Sequence, residues 1–338
     1  MATADPLTQH LLRRAGFGAS PADLATFAPL PYGQAVARLL NYQLLPDDVD
    51  THIGQAGYVG TTSAGQFSPN TVVTDARQRL LFRMLHSQRP LQEKMALFWH
   101  NYFATGYSKI AGKVGAANAT RLMAAKPSED PQQQTGQIEL FRTSALGNFR
   151  QLLLAVAQDP AMLLWLDGAS NIKAAPQENF GRELMERFTM GIGNYTQGDV
   201  IQAARCFTGW ELDTISGQFF FNPYDNDNGI KHFLGRSGRY TGEDIVSIVT
   251  HEPASHRWVI SRMWSWLAFP VTPNDPLVQD FVHGYAKDLN LTHLLEAMFN
   301  HSAFVSARAR QGLVKQPIEM LVGALRRLGL TLRFAQPG

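Results

Sequence analysis

The sequence predicts a mainly α-helical, bundle-like globular protein with a small antiparallel β-meander insertion near residues 210–235. Three observations predict this fold class. Apolar residues recur at helical spacing through most of the chain. Hydrophobic residues make up 45% and charged residues 17%, a composition typical of a folded chain with a sizeable core. Short β-prone runs separated by turn residues cluster within 210–235. We therefore expect residues 1–338 to form a single helical domain.

In the first half of the chain, residues 6–15 have helical spacing and are followed by the helix-breaking sequence Gly-Phe-Gly. A long helical pattern covers 75–103 and is interrupted at Pro90, since proline cannot continue a helix already under way. Residues 47–70 and 105–137 are rich in small and polar side chains. The sequence predicts long loops at both places.

In the second half, helical periodicity covers 148–158, 177–190 and 196–208, and glycine follows the last two of these segments. Residues 210–235 then alternate β-prone runs with Ser-Gly and Asx-Gly turns, which predicts the β insertion. From 242 to 330 the pattern is helical again.

Composition excludes several classes of function. The net charge is +2, from 30 basic and 28 acidic residues, so neither nucleic acid nor an anionic membrane is expected as the main partner. Cys206 is the one cysteine; an intrachain disulfide and a four-cysteine zinc site are excluded, and we expect a buried thiol. No membrane span is expected, and residues 1–14 lack the apolar region of a signal peptide, which leaves the localisation open.

Five segments together resemble one bacterial family, called domain of unknown function 1800. The segments are Leu12–Gly18, Phe98–Phe103, Glu178–Thr189, Ala204–Trp210 and Lys315–Glu319. The resemblance implies a helical fold and, for many members, export to the periplasm or the exterior. It also implies a frequent partner family, called domain of unknown function 1501. It implies no established reaction.

The chain departs from the family pattern in three places. Tyr102 stands where the family commonly has the second histidine of Phe-Trp-His-Asn-His-Phe. Asn226 stands where a histidine commonly precedes Asp227. We also expect this chain to lack the family's Gly/Trp-rich C-terminal region. A metal site that depended on those histidines would be incomplete in this chain.

The helix predicted at 177–190 carries a polar flank beside an apolar stripe. Asn179, Glu183 and Glu186 follow the spacing i, i+4, i+7, which places them on one side of an α-helix. Two interpretations stay open. The carboxylates bind a divalent cation or act as acid and base, held by Asn179. Alternatively, they form a structural network with Arg182, Arg13 or Arg14.

His100 is the second candidate. Glu93 lies seven positions earlier on the same predicted helix, so both side chains share one face. In a functional interpretation, His100 is a metal ligand or general base and Glu93 orients it. In a structural interpretation, His100 is a core histidine that bonds a carbonyl or carboxylate group.

These residues define one site hypothesis and two functional hypotheses. The site has Glu183, Glu186 and His100 as catalytic or metal-binding residues, with Asn179, Arg182, Arg13, Arg14 and Glu93 in support. The first hypothesis is a metal-assisted enzyme of unknown substrate. The second is a non-catalytic binding or assembly protein that works with a partner. The cofactor is not identified by the sequence, and a divalent metal is one candidate.

Overall fold

Helices form most of the computed structural model, which describes residues 5–53, 66–213 and 216–329. Proline stands at the first position of many helices, where its missing N–H has no intrahelical partner to lose. Ser20 illustrates the local signals, because its hydroxyl and Asp23 form a reciprocal capping box. In the first half the helices are α1 (Pro6–Arg14), α2 (Pro21–Phe27), α3 (Tyr32–Leu40), α4 (Val73–His86), α5 (Pro90–Phe103), α6 (Tyr107–Val114), α7 (Ala116–Ala124), α8 (Gln137–Thr143) and α9 (Phe149–Ala157).

The second half continues with nine further α-helices in the described ranges. They are α10 (Pro160–Trp165), α11 (Asn179–Glu183), α12 (Gln197–Cys206), α13 (Gly242–His251), α14 (Pro253–Leu267), α15 (Pro276–Tyr285), α16 (Leu291–Asn300), α17 (Ala307–Gln311) and α18 (Pro317–Arg327). A π-helical segment, Leu184–Thr189, directly follows α11. Its wider turn is closed by the bond from the Met190 N–H to the Met185 carbonyl, 2.9 Å long.

The β insertion is present and consists of two hairpins. Strands β1 (Trp210–Leu212) and β2 (Phe219–Phe221) pair antiparallel, as do β3 (Lys231–Phe233) and β4 (Arg236–Gly238). The sequence predicted one meander, whereas the described residues form two separate two-stranded sheets. The segment between the two hairpins forms hydrogen bonds with Thr208, just after α12, and does not extend the pairing of β1 with β2. There Asn226 donates to the Thr208 carbonyl at 2.9 Å, and the Asp227 N–H donates to the Thr208 hydroxyl at 2.8 Å.

The predicted loop at 105–137 is wrong for much of its length, because α6 and α7 lie inside it. Alanine, the best helix former, is frequent in α7. Their apolar residues form a small core of their own, with Ile110, Ala119 and Leu122 buried beside Ala161 of α10. In the other predicted loop, 47–70, the residues 49–52 form a 3-10 turn, and 54–65 lie outside the described residues.

One large apolar cluster joins helices from α1 to α17. Its fully buried aromatic residues include Trp99, Phe103, Phe149, Trp264 and Phe299. Cys206 is also buried in this cluster, as the sequence predicted. Within the described ranges no helix combines the length and the apolar character that a bilayer crossing requires. The prediction of a mainly α fold is therefore confirmed.

Candidate functional site

His100 lies on α5 and lines a cavity of about 200 Å³ between α4, α5 and α7. We call it the His100 cavity. The imidazole Nδ1 is buried and has no hydrogen-bond partner among the described residues. Burial lowers the pKa of His100, so the imidazole is neutral at neutral pH. A neutral imidazole can donate from one ring nitrogen and accept at the other.

Thr105 brings a second unpaired group to the same cavity. Its Oγ1 is buried and has no partner within the described chain. α5 ends at Phe103, and Ala104 follows in the left-handed region with φ 40°, which turns the chain so that Thr105 faces back towards α4. The cavity wall has an apolar part made of Val73, Ala76, Leu80, Met123, Ala124 and Ile138.

Three arginines of α4, namely Arg77, Arg79 and Arg83, also line the His100 cavity, and acidic partners compensate the charges of the last two. Arg79 pairs with Glu129 at 2.7 Å. The Arg83 Nε lies 2.7 Å from an Asp50 carboxylate oxygen, and the same guanidinium pairs with Glu139. Both cations are therefore engaged outside the cavity space. Arg77 is exposed to solvent at the cavity wall, so the water around it screens its charge.

Glu93 was predicted to orient His100, and the structure brings it to Arg142 instead. The Glu93 side chain is fully buried, and its Oε1 accepts from the Arg142 guanidinium at 2.8 Å and 3.0 Å. Burial raises the pKa of Glu93, and the Arg142 cation opposes that rise. In this place Glu93 stabilises a buried ion-pair network.

The two acidic candidates on the α11 segment have partners of their own. The Glu183 Oε2 lies 3.2 Å from the Arg187 Nε, and Glu186 accepts from the Tyr195 hydroxyl at 3.2 Å. Burial and the neighbouring Glu186 carboxylate raise the pKa of Glu183, while Arg187 acts against them. The segment that follows Glu183 is π-helical, so the α-helical spacing used to place these side chains on one flank does not hold through Glu186.

The supporting residues of this segment also have contacts within the protein. Asn179 donates to Asp167 at 3.2 Å. Arg182 pairs with Glu178 one turn earlier at 2.8 Å, on the exposed surface. Neither residue bonds Glu183 or Glu186, so the structure does not assemble the predicted support around the two carboxylates.

No group of three His, Cys, Asp or Glu side chains that could hold a metal ion occurs in 5–53, 66–213 or 216–329. The centroid of the His100 ring lies 6.4 Å from that of Phe141 on α8. Tyr102, on the adjacent face of α5, extends towards the π-helical segment. Tyr102 donates there to the Phe188 carbonyl at 2.8 Å. Its hydroxyl therefore has a structural role at the position where a second histidine was considered.

Arg13 and Arg14 line a different cavity, of about 100 Å³, which we call the arginine cavity. The other polar residues in its wall are Lys94, Trp266, Arg310, Lys315 and Glu319. Two of the segments that carry the family resemblance, 12–18 and 315–319, meet at this place. The two arginines are therefore not support for the acidic segment but part of a separate basic site.

The sequence did not indicate Thr105 as a site residue, nor Lys94 as part of the arginine cavity. Thr105 falls in the stretch predicted to be a loop, and a lone threonine carries no spacing signal. Lys94 lies on the apolar α5, where a lysine at a buried position indicates a specific partner. That was the one available signal, and Lys94 does pair with Glu319.

The fold and the two cavities define a mainly helical protein. Both cavities are lined by residues with polar groups that have no hydrogen-bond partner among the described residues, and buried arginines form ion pairs in the interior. The chain belongs to the family described as "Protein of unknown function (DUF1800)", whose model matches residues 10–337. Searches of the curated proteins and of the solved structures give no match.

Proposed function

We propose that this protein binds a small organic molecule in the His100 cavity and holds it through hydrogen bonds to His100 and Thr105. The observation that carries the proposal is that His100 and Thr105 line one cavity, and that His100 Nδ1 and Thr105 Oγ1 are both buried without a partner in the described chain. Leaving such a group unsatisfied costs about 1–3 kcal/mol. A ligand that bonds both groups would recover that free energy.

The size and lining of the cavity indicate the class of ligand. A dry cavity of roughly 150 Å³ binds benzene in another protein, so a ring-sized molecule fits a volume of about 200 Å³. Leu80, Met123 and Ile138 supply apolar contacts for such a body. Arg79 and Arg83 are engaged by carboxylates and Arg77 is exposed to solvent, which favours a neutral ligand with one hydroxyl or carbonyl group.

The proposal is tested by titrating the protein with phenol and with benzene. Phenol has the expected size and one hydroxyl, and benzene lacks the hydroxyl. We expect phenol to bind more tightly in calorimetry and to shift the NMR signals of the His100 ring. Thr105→Val keeps the side-chain shape and removes the hydroxyl, so it should weaken phenol binding by about fivefold to tenfold and leave benzene binding nearly unchanged.

Thr143→Val is the matched control, since Thr143 is exposed on α8 and lies outside the cavity wall. It should bind phenol as the wild-type protein does. The proposal fails if neither compound binds. It also fails if Thr143→Val and Thr105→Val weaken phenol binding equally.

A metal-assisted enzyme with Glu183, Glu186 and His100 is the second candidate. Glu183 supports it, because its carboxyl pKa is raised by burial and by the nearby Glu186, as is useful for an acid or base at neutral pH. The metal content of protein purified without an affinity tag, compared with that of Glu183→Gln, tests this candidate. Near-stoichiometric metal that disappears in a folded variant would support it, and its absence from both proteins would reject it.

Two implications of the family resemblance complete the proposal. The first is a partner from the family called domain of unknown function 1501, and the second is export from the cytoplasm. Co-purification of a tagged chain from its native cells tests the partner, and fractionation of the same cells tests the compartment.

A further inference from the structure

The arginine cavity carries far more positive than negative charge. Five basic side chains line it, and Glu319 is the one acidic side chain in its wall. Glu319 is engaged by Lys94 and also accepts from the Gln316 N–H at 3.1 Å. The remaining basic side chains, Arg13, Arg14, Arg310 and Lys315, have no ion pair with a described residue.

The excess charge is concentrated enough to perturb the groups that form it. Burial is the main cause that lowers the pKa of Arg13, Arg14 and Lys315, and neighbouring arginine charges lower each of these pKa values further. Like charges held together in a partly buried space destabilise the fold unless a counter-charge is present. An anion in the cavity would supply that counter-charge.

Two residues of the cavity wall each carry a buried donor that has no acceptor in the described part of the chain. Arg14 Nε and Trp266 Nε1 are both buried, and neither has a hydrogen-bond partner in the described part of the chain. Arg14 is otherwise fixed, because its Nη2 donates to the Ala309 carbonyl at 2.6 Å and only 9% of the residue is exposed. Guanidinium and indole N–H groups can only donate, so a matching ligand must present acceptor oxygens.

His10 positions Arg13 without adding charge. Arg13 Nη2 lies 3.3 Å from His10 Nδ1, and His10 Nε2 lies 2.9 Å from the Phe304 carbonyl. Because the carbonyl can only accept, the His10 proton is on Nε2, and Nδ1 is free to accept from Arg13. The imidazole is thus a neutral support that orients the guanidinium beside the cavity.

The volume and the donors select a compact oxyanion. A water-sized group occupies roughly 10–15 Å³ by this measure of volume, so about 100 Å³ holds a phosphate group with little room beyond it. Arginine forks match the oxygen geometry of phosphate, and several cations favour a multiply charged ion over a carboxylate. We propose that the arginine cavity binds a phosphate group, carried either by free inorganic phosphate or by a small phosphomonoester.

The test is calorimetric titration of the full chain with inorganic phosphate and with glycerol 3-phosphate at low ionic strength, where screening is weak. Lys315→Gln removes one exposed cation from the cavity wall and leaves the buried core untouched. It should weaken phosphate binding by about tenfold. Trp266→Phe removes the indole donor and keeps an aromatic ring, and it should weaken binding by roughly fivefold.

Arg239→Gln is the matched control, because Arg239 is exposed and lies outside the cavity wall. It changes the net charge by the same amount as Lys315→Gln and should alter the dissociation constant less than twofold. Circular dichroism verifies that every variant keeps its helical content. Comparable weakening by Arg239→Gln would mean that general charge attraction explains the binding, and the proposal would be rejected.

The two ligands separate the two sources of phosphate. Binding of both supports recognition of a phosphate group with its ester substituent directed out of the cavity. Binding of inorganic phosphate alone supports a site for the free ion. Absence of binding by both, to a protein that is folded by circular dichroism, overturns the proposal.

Discussion

Replacing Arg142 with methionine would remove the cation that faces a fully buried carboxylate. Glu93 is 0% exposed, and Arg142 contacts it through Nη2 at 2.8 Å and through Nε at 3.0 Å and 3.2 Å. The same guanidinium lies 3.2 Å from Glu139 and 2.8 Å from Asp47. Methionine fills similar space but donates nothing, so the Glu93 carboxylate loses its partner.

Breaking a buried ion pair from one side costs about 3–5 kcal/mol in the free energy of unfolding, because an unpaired charge stays behind. We expect Arg142→Met to cost that much at pH 7. The cost should shrink towards pH 5. Burial already raises the pKa of Glu93, so without Arg142 the carboxyl takes up a proton more readily and no longer has to stay charged. The double variant Glu93→Leu/Arg142→Met should be less destabilised than the sum of the two single variants.

Urea unfolding followed by circular dichroism measures these free energies for the wild type, both single variants and the double variant. Arg150→Met is the matched control, because Arg150 is exposed on α9 and should change stability by less than about 0.5 kcal/mol. A cost below about 1 kcal/mol for Arg142→Met would refute the reasoning. Strict additivity of the two single variants would refute it as well.

Three further predictions concern other elements. Burial lowers the pKa of His10 to about 4 from 6.5, so the unfolded chain binds the proton more tightly than the folded chain. The free energy of unfolding should therefore fall by up to about 3 kcal/mol as the pH drops from 6.5 to 4. A His10→Gln variant should lose this pH dependence in urea unfolding. Tyr102→Phe should cost about 1–3 kcal/mol, because a buried carbonyl of the π-helical segment loses its donor, and an unchanged melting temperature would contradict this. Gly136→Ala should destabilise the fold by about 1–3 kcal/mol, since the new Cβ would lie 2.6 Å from the Ala124 backbone nitrogen. Gly112→Ala, in open space on α6, should stabilise the fold by roughly 0.5–1 kcal/mol. Thermal melts of the two variants should therefore show shifts of the melting temperature in opposite directions.

Much of the helical architecture could be predicted because its signals are local. The break at Pro90 and the end of α1 follow from proline chemistry and from the Gly-Phe-Gly sequence, and both occur where expected. The segment 105–137 was missed because its helices are short and rich in small residues, and they are stabilised by packing of Ile110 and Leu122 beyond the reach of local periodicity. That the chain forms one domain stays a prediction.

The candidate site was less predictable, because it depends on which side chains meet across distant parts of the chain. Glu178 and Arg182 are one turn apart, and such a local pair follows from helical spacing alone. Helical spacing could not show that Glu93 would meet Arg142, forty-nine positions later, or that Arg13 would meet Lys315. The π-helical segment after Glu183 also changes the angle between successive side chains around the helix axis, and no residue pattern in that segment predicts a π-helix.

The single buried thiol gives the molecule a built-in reporter of opening. Cys206 ends α12 inside the main core, and burial raises its pKa to about 12, so a thiol reagent has little thiolate to attack in the folded state. With no second cysteine in the chain, every labelling event reports exposure of this one place. The labelling rate therefore measures how often α12 detaches from the core, and adding phosphate or phenol during labelling would show whether either cavity's ligand slows that detachment.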